Sequence, residues 1–221
     1  MSWRTLLIGT VALAVHCLLA PTGSCAQQLA YASIQAEDAQ ALAKQALECL
    51  RRGEDGISKQ TRANAFREGL ELAQRAVAAD DHNADAHFAV FANHGRLLLE
   101  EGTVPNPFNM VEVNRELDRA LQLNPNHVDA LISKGGLYRQ LPWVLGGSLQ
   151  KAEACLTRAI ELDPNAVGGR IELAATYRDM GQPDRGVPLL EQAIQVAQQV
   201  GKFRQLAEAR ALLDALNAKR N

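Results

Sequence analysis

LISKGGLYRQLPWVLGGSLQKAEACLTRAIELDP, residues 131–164, carries the pattern from which the architecture of the chain follows. Its apolar residues recur at three- and four-residue steps on both sides of a short interruption, which predicts two helices, 127–140 and 148–162. Gly135 sits in the first helix, Ala152 and Ala159 in the second. Two helix backbones approach closely only where the side chains between them are small, so these positions predict an antiparallel hairpin. Ser148 follows Gly146-Gly147 and is placed to cap the second helix, its hydroxyl accepting a backbone N–H bond. Pro164 cannot continue that helix and ends it.

The hairpin recurs. Aligning inner alanines gives Ala76, Ala120, Ala159 and Ala193, at intervals of 44, 39 and 34 residues. The surplus over 34 falls in EEGTVPNPFN (100–109) and LPWVL (141–145), both at turns inside a hairpin. Insertions there lengthen a loop at small entropic cost and leave the helices in register. Pro125 ends a helix as Pro164 does one unit later.

A 34-residue hairpin period with these residues resembles the tetratricopeptide repeat (TPR) family. The match is strongest at Gly135, Tyr138, Ala152, Ala159 and Pro164, and extends to Tyr177 and Ala193 in the next unit and to Ala120 and Pro125 in the one before. The resemblance implies an all-α solenoid of stacked hairpins in a right-handed superhelix that serves protein–protein contacts. Four units are expected at 33–81, 84–125, 127–164 and 167–200 within a repeat domain at 27–201. A C-terminal helix within 202–221 then supplies the cap that a repeat stack needs. The turn around Gly146-Gly147 is also similar to one in exported bacterial TPR proteins, including the TatT-type associates of TRAP transporters.

Residues 1–26 read as an export signal. Arg4 gives a positive start, Leu6 to Ala20 an uncharged apolar stretch, Pro21 a break, and Ser24-Cys25-Ala26 small residues for cleavage before Gln27. The apolar stretch is shorter than the roughly 20 residues of a membrane span. Export to the periplasm is the expectation. The alternative is a lipoprotein anchored at Cys25, since Gly23-Ser24-Cys25 resembles the end of a lipobox. Either route leads to an oxidising compartment. Cys49 and Cys155 are assigned no function, burial as small hydrophobes being the expectation.

Composition narrows the chemistry. With Lys+Arg at 23, Asp+Glu at 25 and a formal charge of −2, the chain lacks the excess cation of a nucleic-acid binder. Ser148-x-x-Lys151 matches a motif of penicillin-recognising enzymes, but no companion motif accompanies it. His87 and His94 stand about two turns apart on one helix, roughly 10 Å, too far to share one ion unaided. No acid–base pair or phosphate-cradling loop emerges, so no enzyme, cofactor or metal is expected.

What remains is binding. The groove-lining positions of a TPR stack fall on Phe88, Ala92, Ile132, Gly136, Ile171 and Ala175, with Arg96, Arg139 and Arg178 as a guanidinium row beside them. Arginine forks bind carboxylates bidentately, so the expected partner is a protein or peptide with acidic character. Trp143 marks a second candidate: its loop either tucks over the hairpin, the expected outcome, or presents an apolar patch.

Overall fold

The computed structural model describes residues 25–102 and 107–218. The helices are α1 (Cys25–Glu54), α2 (Lys59–Ala79), α3 (Ala84–Glu101), α4 (Pro107–Leu123), α5 (Val128–Gln140), α6 (Leu149–Leu162), α7 (Val167–Asp179), α8 (Pro183–Val200) and α9 (Phe203–Ala218). A 3-10 turn, Trp143–Leu145, joins α5 to α6. Among the described residues there is no strand, and no helix is long and apolar enough to cross a membrane. The two helices expected at 127–140 and 148–162 agree with α5 and α6 to within one residue, and α1 begins at Cys25, ahead of the first expected unit at 33. The rest of the expected export signal lies outside the described residues.

The helix starts follow local chemistry. Ser58, Asn83 and Ser148 each accept a backbone N–H bond three residues on, at 3.1, 3.0 and 3.3 Å. His127 does the same for α5, its Nδ1 accepting from the Ala130 N–H at 3.3 Å. Pro125 and Pro164 stand exposed in the turns after α4 and α6.

Each helix packs on its chain neighbours, α1 on α2, α2 on α3 and so on to α8 on α9, so the core is a string of small clusters. Ala120, Ala152, Ala159 and Ala193 are fully buried within it. Leu156 of α6 fills the space that Gly135 leaves open on α5: a Cβ there would stand 2.5 Å from Leu156 Cγ. Tyr177 is buried, and its hydroxyl donates to Glu153 Oε1 at 2.8 Å while accepting from Arg185. Tyr138 is half-buried under the ammonium groups of Lys134 and Lys151. Burial of apolar area between successive hairpins, at about 25 cal/mol per Å², is the dominant favourable term.

Candidate functional site: the inner groove

The odd-numbered helices line one continuous groove of about 1020 Å³. Phe88, Ala92, Ile132, Gly136 and Ile171 form part of its wall, as their repeat positions imply; Ala175 does not reach it. Leu47 and Leu50 from α1, Val113 from α4 and Phe203 from α9 extend the apolar surface. α9 continues the inner row by packing on α7, as α7 does on α5.

The arginine row is not a row. Arg96 lines the groove, but Arg139 and Arg178 do not. Arg139 is mostly buried between two carboxylates, with Nε 3.1 Å from Glu172 Oε2 and an Nη 3.1 Å from Asp179 Oδ2. Arg178 pairs with the other oxygen of Asp179 at 2.8 Å. Glu172 and Asp179 of α7 neutralise Arg139 across the hairpin junction, and Asp179, its neighbour in sequence, neutralises Arg178. The groove's cations are instead Arg51, Arg96, Lys202 and Arg204.

Charge within the groove is concentrated near α9. Glu54 contacts Arg96 at 2.7 Å and Arg204 at 2.9 Å. Burial, and then the nearby Glu172 carboxylate, push the Glu208 carboxyl above its ordinary value; Arg204 and Arg96 oppose this. Two further groove residues carry buried side-chain oxygens without a donor, Asn114 Oδ1 and Gln205 Oε1.

The Trp143 loop overturns the expected tuck. Trp143, Val144 and Leu145 are 83%, 64% and 59% exposed. The loop folds sharply, with Gly146 at φ +90° and the Gly147 N–H donating to the Pro142 carbonyl at 3.1 Å. That turn closes over backbone, leaving the apolar side chains no hairpin surface to cover.

The histidines have partners of other kinds. His87 is buried, with Nδ1 2.7 Å from Glu116 Oε2 and Nε2 3.0 Å from the Asp81 carbonyl oxygen. His127 Nε2 lies 3.1 Å from Asp85 Oδ1. Among the described residues no group of three or more His, Cys, Asp or Glu side chains is placed to hold a metal. Cys49 and Cys155 are free, and burial raises both thiols above their ordinary pKa.

The family described as regulator of microtubule dynamics protein 1-3 matches residues 23–142, and a tetratricopeptide repeat family matches residues 145–166. No curated protein matches significantly. Similar solved structures include a thermophilic TPR protein of Thermus thermophilus, with 19% identity, TM-score 0.53 and coverage of 72% of this chain and 84% of that one. PilF of Pseudomonas aeruginosa has 20% identity, TM-score 0.53 and coverage of 85% and 78%. At such identities the likeness is one of fold, a TPR-type helical solenoid.

Proposed function

The chain belongs to the regulator of microtubule dynamics protein 1-3 family, and we propose that it is a non-catalytic scaffold holding an apolar segment of a protein partner in its inner groove. The observation that carries this reading is the groove itself. Phe88, Ile132 and Ile171 come from three successive hairpins to one apolar surface, with a volume suited to a short peptide segment. The family name refers to regulators of microtubule dynamics; what carries over to this chain is a role exerted through contacts.

A photocrosslinking side chain at Phe91, in the groove, and at Arg75, exposed on α2, tests the reading. Crosslinking of one partner from Phe91 alone, lost on Ile132→Asp, supports it. Equal crosslinking from both positions, or persistence in Ile132→Asp, overturns it.

Export to the cell envelope belongs to the same proposal, with residues 1–26 as the address. An intact mass starting at Gln27 supports this, a lipid-bearing Cys25 moves the protein to a membrane surface, and a mass starting at Met1 removes the export step. A second reading is a TatT-like transporter accessory that holds a small organic acid or lipid. The Glu54–Arg204 contact, which joins the two ends of the solenoid across the groove, favours an enclosed ligand. Thermal-shift screening against organic acids separates it from the peptide reading.

A further inference from the structure

The groove is read above as the seat of an apolar protein segment, and the chain presents one such segment itself. Trp143, Val144 and Leu145 form the 3-10 turn between α5 and α6 and stand 83%, 64% and 59% exposed. A contiguous apolar patch on an exposed turn marks a contact surface. The turn is also rigid. The Leu145 and Gly147 N–H groups both donate to the Pro142 carbonyl, at 2.9 and 3.1 Å, and the Ser148 N–H donates to the Tyr138 carbonyl at 2.8 Å. A Cβ on Gly147 would stand 1.8 Å from the Leu141 carbonyl oxygen, so the bend admits no side chain there. A tip fixed in this way loses little conformational freedom on docking.

The tip does not serve its own protomer. The groove wall reaches Gln140 and includes none of residues 141–147. With the turn locked by those bonds, the tip reaches a groove only on another molecule.

Charge favours the same pairing. The groove carries six acids, Glu54, Asp55, Asp129, Asp163, Glu172 and Glu208, against the four cations named above. Residues 141–151 carry one cation, the exposed Lys151, and no acid. An acidic segment, the partner expected from the sequence, would meet a wall of like charge, whereas the chain's own tip meets one of opposite charge.

We propose that the groove's occupant is a second copy of this chain: the Trp143–Leu145 tip of one protomer seats in the groove of another, its indole against Phe88, Phe91 and Ile132 and its Lys151 toward the groove's carboxylates. The contact is heterologous, tip to groove, because the two surfaces differ. Trp143 is its anchor, a large aromatic side chain entering an apolar cleft. In a lone protomer the tip stays in water. The proposal rests on the groove reading and names the partner that the groove takes.

Sedimentation velocity of the purified chain over a range of concentrations is the test. The wild-type chain is expected to self-associate. Trp143→Ser removes the tip and Ile132→Asp blocks the groove, so each should associate more than about tenfold more weakly. Mixed together, the two variants should form a one-to-one pair and nothing larger, because one brings an intact groove and the other an intact tip. Val144→Ser and Ala92→Glu stand in where either variant melts early. A photocrosslinking side chain at Phe91 of the purified chain should capture the tryptic peptide 140–151. A chain that stays monomeric at every concentration, or variants that do not pair when mixed, overturns the second copy as occupant. Undiminished association of Ile132→Asp beside a monomeric Trp143→Ser means that tips meet tips, and overturns it too. In each case the groove reading survives if Phe91 crosslinks a different protein and falls if Phe91 crosslinks nothing.

Discussion

Gly135 and Leu156 share a space that holds one side chain: a Cβ on Gly135 would lie 2.5 Å from Leu156 Cγ and 2.9 Å from Cδ2. Gly135→Ala should therefore destabilise the protein by about 1–3 kcal/mol, as overpacking does. The neighbouring Gly136 is a control, because its nearest foreign atom is 3.6 Å from a built Cβ. Gly136→Ala should stabilise by up to about 1 kcal/mol through helix propensity. Urea denaturation of the two variants checks the contrast; equal effects would mean that the hairpins are not in this contact.

Acid should weaken the junction between the second and third hairpins. His127 Nδ1 accepts the Ala130 N–H, and its Nε2 stands 3.1 Å from Asp85 Oδ1 without forming an aligned hydrogen bond. The close His127 ring, with help from the Gln40 amide and against the effect of burial, holds the Asp85 carboxyl below its ordinary value. A depressed folded-state pKa stabilises fully above the unfolded value, about 3.9, and is lost as pH falls through the folded one. Asp85→Asn should flatten the loss of stability below about pH 4, with denaturant midpoints at several pH values as the readout. The effect should be small, because the Asp85 side chain is 40% exposed.

The thiols should be slow. Burial raises the pKa of Cys49, reinforced by Glu68, and that of Cys155. The thiolate is the reactive species, so alkylation at neutral pH should run far below that of a free thiol and become fast only on unfolding. Mass spectrometry after timed iodoacetamide treatment gives the rates, and rapid native labelling of Cys155 would contradict the packing of α6.

Trp143 should report water. It is 83% exposed, and no other tryptophan lies in residues 27–221. In chain cleaved before Gln27, its emission should match that of free indole and be fully open to iodide quenching. Trp143→Ser should change stability by less than about 0.5 kcal/mol. A shifted, quencher-protected emission would mean that the loop is covered.

The helices, their pairing and the stack are written in the residues themselves. Ala120, Ala152, Ala159 and Ala193 recur at hairpin spacing because neighbouring backbones must touch there, and Ser148 and Pro164 bound their helix through bonds made or refused within a few residues. Local chemistry of this kind needs no knowledge of distant parts of the chain. The apolar groove positions Phe88, Ile132 and Ile171 were legible for the same reason, since a repeat places equivalent residues on the same surface. The charges were not. Whether Arg139 faced the groove depended on Glu172 and Asp179 arriving from the next hairpin, and Arg204 meets Glu54 only because the stack bends its last helix toward its first. A long charged side chain takes its partner from whatever the curvature of the whole solenoid brings within reach, and that curvature sums small angles over every interface, which no single repeat encodes.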